Sequence, residues 1–547
     1  ATQHVDIRAG HDLRLTHAEN SRQEEHDYQV IRKGLSGSGG IGVSYGKQSQ
    51  RNTHKGVSVS PLGSLVGSSE GSVRLTAGNA LTLTGAELLA KQDMQLTAKQ
   101  VTLSPSESHS RQRHFSEQKS SGFTLALSGS VGGLVNQAMT QAHSASQAYT
   151  GRLMALKGVQ SALTGVQAYQ AQQTEALKDD SASKSTMGVT LSWGSQSSTS
   201  THTQVTQQNQ GSQLIAGQHL MINAQEGDIR VVGSTLQAGN DLTLLAQRDV
   251  VLTSSQNRQQ LTGNTRSQGA TLGVGIHVGS DKKGVSIDAS LNSATGRENG
   301  IAISHNETRL DAGKTLQIVS GRDTQLQGAQ VSGHTVDMTV GRHLTLTSEQ
   351  ETDHYFSSQT SGSVGGSVSM GGGSFSLNLA RDKMDSTYRS VQAQTGIFAG
   401  QGGFTIDVGK HTQLNGAVIG STASAENNQL QTGTLGFNSI LNHAQYKVEH
   451  QSVGLSTGSD IAKQLLSHAA TSLLVGAKGS GRADSVTYSA ISQGSLTILD
   501  SAEQSQSLAT LHRDVDSANQ TLSPIFDKEK EQNRLREAQL IGSISAQ

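Results

Sequence analysis

Apolar residues in this chain recur in short alternating stretches, each closed by Gly, Asn or Asp. One phrase is Ala-Gly, two polar residues, then two apolar residues flanking a third position. It reads AGHDLRLTH at 9–17, AGNALTLT at 77–84, AGQHLMINA at 216–224, AGNDLTLLA at 238–246 and AGKTLQIVS at 312–320. A companion phrase follows several copies: KQDMQLTA at 91–98, QRDVVLTS at 247–254, GRDTQLQG at 321–328, GRHLTLTS at 341–348 and GKHTQLNG at 409–416. Alternation of this kind has the period of a strand, and the residues between stretches are turn formers. Gly313 to Gly333 and Gly321 to Gly341 each span 20 residues, and Gly217 to Gly239 spans 22. A unit so short holds two or three strands and leaves little room for a helix. One such coil cannot bury its apolar side alone, so successive coils must stack with Leu, Ile and Val inward. The pattern predicts a mostly β protein built on a parallel β-helix.

A longer period overlies the first. Between blocks of coil the chain leaves through polar stretches: HAENSRQEEHDYQ at 17–29, SESHSRQRHFSEQ at 106–118, SSQNRQQLTGNTR at 254–266 and SEQETDHYFSSQT at 348–360. Each then enters a Gly/Ser-rich stretch with strand alternation. Leu272, Val274, Ile276 and Val278 lead through DKKG at 281–284 to Val285, Ile287, Ala289 and Leu291. Val364, Val368 and Met370 lead through Gly371-Gly372-Gly373 to Phe375, Leu377 and Leu379. Both read as hairpins. A further hairpin pairs IGVSYG at 41–46 with GVSVSPL at 56–62 around the loop KQSQRNTHK. Another pairs Phe123, Leu125 and Leu127 with Val189, Leu191 and Trp193, and a fifth pairs Val453 and Leu455 with Val486 and Tyr488.

Two inserts have near-helical apolar spacing and are placed at hairpin tips: about 134–184, and 459–478 with Ile461, Leu465, Ala469 and Leu473 on one stripe. From Ala502 glycine thins and charge rises. SAEQSQSLATLHRDVDSANQ and SPIFDKEKEQNRLREAQLIG both read as helices, the second starting at Ser523-Pro524. The organisation is therefore a β-helix with hairpin excursions over 1–501 and a short helical tail over 502–547. The chain opens inside a repeat, which reads as a piece of something longer.

Composition adjusts this picture modestly. The 547 residues include 62 Gly, 3 Pro and only 3% aromatics, fewer than a compact enzyme of this length usually carries. Regular apolar positions set it apart from a disordered polar chain. A formal net charge of −1 gives no global field to recruit nucleic acid. With no cysteine, disulfide and thiolate chemistry are excluded, and the absence suits an exported chain.

Candidate chemistry is thin. His11, His219, His334, His343 and His411 fall just after glycines in repeat turns, and no pair forms a helical HxxxH, so no metal site is assigned. Gly37-Ser38-Gly39-Gly40-Ile41-Gly42 matches GxGxxG by letter but lacks the flanking strand–helix frame, and Gly313-Lys314-Thr315 lacks the earlier glycine of a phosphate loop. Asp241, Asp249 and Asp323 recur at like positions, which points to turn hydrogen bonding. No catalytic residue and no cofactor are assigned. A carboxylate pair in a β-helix groove, acting on a polysaccharide, is the enzymatic alternative.

The hairpins are the sharper candidates. Their apolar side, carried by Leu272, Val274, Ile276, Val278, Val285, Ile287, Leu291, Phe375, Leu377, Leu379 and Trp193, is assigned to contact with a membrane or partner. Two arrangements fit. The apolar sides could lie on the solenoid flank or on one another, or they could enter lipid as transmembrane barrel strands of about 9–11 residues do. Scarce aromatics (8 Phe, 8 Tyr and 1 Trp) argue against an interfacial girdle.

The Ala-Gly-x-x-Leu-x-Leu phrase, its [Arg/Gln]-Asp-x-x-Leu companion and the Gly/Ser hairpins together resemble the haemagglutinin repeats of large two-partner-secreted exoproteins. Those include filamentous haemagglutinin and the CdiA-type effectors of contact-dependent growth inhibition. The resemblance covers about 1–500, and the tail is similar to the start of the pretoxin region of the effectors. It implies a secreted, cell-surface stalk of a Gram-negative bacterium, exported through an outer-membrane partner transporter. It further implies engagement of a target cell's outer membrane or surface receptor during delivery of a C-terminal toxin. An adhesin filament that binds a host glycan or protein receptor is the alternative within the same resemblance.

Overall fold

Three short strands make one coil of the structure, a computed structural model that describes residues 2–37, 42–128, 187–278, 283–369, 372–457 and 471–545. One coil runs Val73–Ala77, Ala80–Thr84 and Glu87–Ala90. Another runs Leu220–Ala224, Ile229–Val232 and Thr235–Ala238. Each strand pairs in parallel with its counterpart in the neighbouring coil. Val73 pairs with Met94, 21 residues on, and Leu316 pairs with Val336, 20 on. The stack forms one 23-stranded parallel assembly wound as a β-helix.

Because pairing is in register, like side chains stand on like side chains. Leu75, Leu96, Ile222, Leu244, Ile318 and Met338 form one such interior column, all buried. Alternation decides which residues enter: in Leu242–Ala246 the burial runs buried, half-buried, buried, half-buried, buried. This is the dry interior that the Leu-x-Leu spacing predicts.

Hairpins leave between the second and third strands of a coil, in every other coil. Gln100–Ser104 is followed by the long strands Ser106–Ser128 and Met187–Gln210, and the coil resumes at Gln213–Ala216. In the coils between, one tight turn closes the same corner. Gly85, Gly233, Gly328 and Gly416 make these turns at φ between +55° and +60°. A Cβ at Gly85 would stand 2.3 Å from Ser106 Oγ, and one at Gly233 2.2 Å from Ser255 Oγ. Each glycine therefore lies directly against the root of a hairpin. On the return, a buried hydroxyl satisfies the backbone of the corner. Ser212 Oγ accepts from the Ala86 N–H (3.1 Å), while Thr308 donates to Thr253 O (2.6 Å) and Thr395 to Thr347 O (2.8 Å).

The recurring acids do the turn work expected of them. The Asp249 N–H donates to Asp228 Oδ1 (3.2 Å), the Asp323 N–H to Asp249 Oδ1 (3.0 Å), and the Thr315 N–H to Asp241 Oδ1 (3.2 Å). Burial by itself would raise the pKa of Asp323. Two bonds from the Arg342 guanidinium and one from the His343 N–H outweigh it and hold the carboxyl below its ordinary range.

Several local expectations are corrected. The polar exits are themselves strands, so each hairpin strand is 17–24 residues long. In the first hairpin Ala18–Gly37 pairs with Gly42–Leu62, so the supposed loop KQSQRNTHK lies mid-strand. In the fifth, Ile440–Thr457 pairs with Thr471–Thr487, which sets Val453 opposite Leu474 and makes 471–478 strand rather than helix. The proposed insert at 134–184 and the rest of the second one, 459–470, lie outside the described residues.

The segment 502–520 is not a helix beyond a single 3-10 turn at Leu508–Thr510. Tertiary contacts override its helix-forming composition. The Gln504 amide donates to Leu435 O and accepts from Leu435 N (both 2.8 Å), and Gln506 does the same at Phe437 (3.1 and 2.7 Å). Two glutamines thereby satisfy an otherwise open strand edge. The C-terminal helix is present but begins at Lys528, with Asp527 Oδ1 accepting from the Lys530 N–H (3.0 Å) as its cap.

Two substitutions test this frame. Leu244→Ala should destabilise the chain by about 2–5 kcal/mol through an unfilled interior cavity. Gly233→Ala should cost about 1–2 kcal/mol in backbone strain, before its clash with Ser255 is added. Midpoints of guanidinium unfolding followed by far-ultraviolet circular dichroism measure both.

Candidate interaction surface

The five hairpins do not fold back on the solenoid. They join edge to edge into one ten-stranded antiparallel sheet, in chain order, with unbroken register from Ala18–Gly37 to Thr471–Thr487. Unbroken register keeps residues of one parity on one side of all ten strands. Rows of residues can therefore be read straight across the sheet.

In its outer half, one face is apolar. One row runs Val43, Leu125, Leu191, Val274, Ile287, Val368. Nearer the tips lie Leu127, Val189, Ile276 and Val285, with Val278 beyond them. Leu291, Val364, Leu377 and Leu455 form a further row, with Leu379 one step behind Leu377. Among the described residues nothing covers this face: Leu272 is 57% exposed, Ile276 62%, Ile287 56% and Leu379 51%. Packing of these side chains on the solenoid flank, one of the two arrangements the sequence left open, is not what the structure shows. All eleven residues assigned from sequence share this one face.

The row Leu35, Tyr45, Phe123, Trp193, Leu272 was not foreseen as a unit. It places three aromatics, the single Trp included, side by side on consecutive strands at the inner border of the apolar zone. The few aromatics of the chain are in part gathered here. Scarcity in the whole chain hid concentration in one row.

Behind the aromatics, on the opposite face, runs a row of glycines: Gly34, Gly46, Gly122 and Gly194. A Cβ at Gly46 would stand 2.4 Å from Ser121 O, and one at Gly122 2.6 Å from Gly46 Cα. Only glycine allows strands to approach this closely, so the sheet bends along this line. The bend leaves an open concavity of about 740 Å³ on the glycine face, with Arg32, Gln48, Ser120, Gln196, Asn292 and Ser376 around it. A shallower one of about 580 Å³ lies on the apolar face beside Leu291 and Leu377. Hydroxyls pair across strands on the glycine face: Ser44 with Thr124 (2.9 Å), Thr271 with Ser290 (2.6 Å), Ser367 with Ser374 (2.8 Å).

Nearer the solenoid the glycine face carries a second row that sequence spacing conceals: His26, His54, His114 and His202, ending at Gly263 and Glu298. The His54 and His114 rings lie 6.4 Å apart. Among the described residues no group of three or more His, Asp or Glu is arranged to hold a metal ion.

The C-terminal segment lies across this same glycine face, over the later strands. Tyr388 donates to Leu522 O (2.8 Å), and the Leu522 N–H donates to Ser390 Oγ (2.9 Å). Phe526 packs between Tyr355 (5.6 Å between rings) and Tyr446 (5.8 Å), and Leu535 joins Met384 and Val448 in a small buried cluster. Lys528 ion-pairs with Glu298 and stands 5.1 Å from the centre of the Tyr355 ring. Tyr355 donates to Glu298 Oε1 (2.8 Å). Burial by itself would raise the pKa of Glu298, but the bonds from Lys528 and Tyr355 hold it below its ordinary value. Burial and the facing carboxylate push the Tyr355 hydroxyl well up. The apolar face is left free by all of this.

A parallel β-helix with a lateral sheet of paired hairpins defines a filament-type repeat protein. The chain belongs to the hemagglutinin-repeat family, whose model matches residues 45–165 and 191–362. It is 45% identical to "Toxin CdiA" of Yersinia pestis over 549 residues, covering 100% of this chain and 16% of that protein. It is 45% identical to "Deoxyribonuclease CdiA" of Yersinia pseudotuberculosis, covering 100% and 51% respectively. To "16S rRNA endonuclease CdiA" of Enterobacter cloacae it is 46% identical, covering 99% and 16%. The chain thus spans about a sixth to a half of the length of these relatives. No solved structure matches it.

Glu298 offers a pH test of the C-terminal docking. Its folded pKa is depressed, so the stability it contributes is present above the ordinary glutamate value and is lost as pH falls through the lower folded one. Glu298→Gln should mimic acid and weaken docking by about 1 kcal/mol after allowance for solvent screening. Amide exchange over 522–535 should then speed up roughly fivefold at pH 7. As pH falls through the depressed folded value, the exchange rates of the parent and the variant should converge.

Proposed function

We propose that this chain is a non-enzymatic stalk segment of a contact-dependent growth inhibition effector, and that its hairpin sheet engages the outer membrane of a target cell during toxin delivery. The observation that carries the reading is the exposed apolar face, continuous across nine strands from Leu35 to Leu455. In the third hairpin it runs from Ala270 to Val278, nine residues. That is the length of a strand that crosses an outer membrane at a tilt. The aromatic row at its inner border supports the same orientation, since Trp and Tyr favour the membrane–water interface.

The nuclease names of the relatives belong to chains several times longer or about twice as long, and no such activity is assigned to these residues. The family resemblance supports export through an outer-membrane partner transporter and display on the surface of a Gram-negative bacterium. Residues 1–501 form the repeat region in this reading, and 502–547 begin the pretoxin-like region.

Flotation with outer-membrane vesicles tests the proposal. The chain should co-float, and Ile276→Asp combined with Leu291→Asp should lower binding at least tenfold, with circular dichroism unchanged. Absence of binding by the folded parent chain overturns the membrane reading. Retention of a glycan or protein receptor in its place would turn the assignment to an adhesin filament.

A further inference from the structure

Charge is distributed unequally between the two faces of the hairpin sheet. On the apolar face, five strands carry a cation of the same parity within four residues of the apolar stretch on its solenoid side, while Met187–Gln210, Lys283–Asn306, Glu351–Ser369 and Ile440–Thr457 carry none there. Lys33 follows Leu35, and Lys47 follows Tyr45. Lys119 comes four residues before Phe123, Arg266 four before Ala270, and Arg381 two after Leu379. All five are exposed. Lys119 is paired with Glu117 (2.7 Å), and the other four have no ion-pair partner among the described residues. The border of the apolar zone slants across the strands, and the cations follow the slant.

The opposite face has no such belt. Two rows at the same level run Arg32, Gln48, Ser120, Gln196, Gly269, Asn292 and Val30, Gln50, Gln118, Ser198, Ser267, Ala294. Arg32 is the one charged residue in those two rows among the described side chains. The chain as a whole has a formal net charge of −1, so the belt is a local concentration and no reflection of bulk composition.

We infer that the belt of Lys33, Lys47, Lys119, Arg266 and Arg381 binds the phosphate groups of an anionic lipid surface while the apolar rows beyond it enter the acyl region. This rests on the membrane reading above and names the lipid chemistry it selects. Apolar, aromatic and cationic side chains follow in order along two neighbouring strands, Val43, Tyr45, Lys47 and Leu125, Phe123, Lys119, and Lys33, Arg266 and Arg381 extend the cationic border on other strands. That order matches the acyl core, the interface and the charged headgroups of a membrane. Cations near an anionic surface each strengthen binding about fivefold, and salt screens the effect. A zwitterionic surface gives no such gain.

Binding of the full chain to two vesicle types decides the matter: phosphatidylcholine alone, and phosphatidylcholine with one-third phosphatidylglycerol. The anionic vesicles should bind at least about a hundredfold tighter, with the advantage lost at high salt. Lys33→Gln, Lys47→Gln and Arg266→Gln combined should reduce the anionic affinity by about a hundredfold and leave phosphatidylcholine binding unchanged. Arg32→Gln, one residue from Lys33 but on the other face, should change neither. Equal binding to both vesicles, or equal losses for the triple variant and Arg32→Gln, overturns the phosphate inference and leaves membrane contact standing. Binding to neither vesicle overturns both.

Discussion

The structure depends on one coincidence of spacing. Stacked coils of a β-helix and paired strands of an antiparallel sheet share the same backbone hydrogen-bond repeat of about 4.8 Å. A hairpin is two strands wide, so it fills the rise of two coils. Hairpins that leave one corner in every second coil therefore arrive side by side at hydrogen-bonding distance. One hairpin per coil would overcrowd the corner. One in three would leave a gap one strand wide between neighbouring hairpins, too wide for them to pair. The intervening coils make the arrangement possible by closing the corner tightly, which is the task of the positive-φ turns at Gly85, Gly233, Gly328 and Gly416. Their backbone strain is tolerable only to glycine, and the lack of a Cβ lets the root of the adjacent hairpin rest on the turn.

This explains which parts of the fold were legible in the sequence. The coil interior was, because Leu-x-Leu alternation buries one side of each strand and the same positions recur every 20–24 residues. The outer hairpin arms were as well, since Leu272 to Val278 alternates against glycine and Thr. The inner halves were not. Around His114 and His202 neither face is apolar, so no period of two marks the strand, although pairing across Ser106–Gln210 is continuous. These polar segments are strands because the spacing of coils holds them beside partners, a tertiary cause with no local trace. The misread segment 502–520 has the same explanation in reverse. Its composition favours a helix, and the open edge at Leu435 and Phe437 takes it instead.

The candidate surface was legible in its members and invisible in its order. Each apolar residue could be assigned to one face from alternation alone. Their alignment with Tyr45, Phe123 and Trp193 in one row could not, because those aromatics are separated by 78 and 70 residues in the chain. The same holds for the histidine row and for the cations. A one-residue slip in any strand pairing would exchange the faces of that strand and break every row at once. Register across the ten strands is thus what converts scattered residues into an apolar zone, an aromatic border and a charged belt.

Register also explains why the two faces of the sheet can carry separate tasks. The C-terminal segment needs partners of fixed geometry: Glu298 for Lys528, Tyr355 and Tyr446 for Phe526, Met384 and Val448 for Leu535. These come from three different hairpins, and all have the parity of the glycine face. Docking there stiffens the later hairpins at their base without shielding a single residue of the apolar zone. Had the same segment docked on the other face, its own apolar residues would have competed for Leu377, Leu379 and Leu291. Placing the internal contact on one parity and leaving the other parity open separates cohesion of the sheet from whatever the sheet binds. A chain of alternating residues achieves this with no additional element, provided the coil spacing keeps all five hairpins in step.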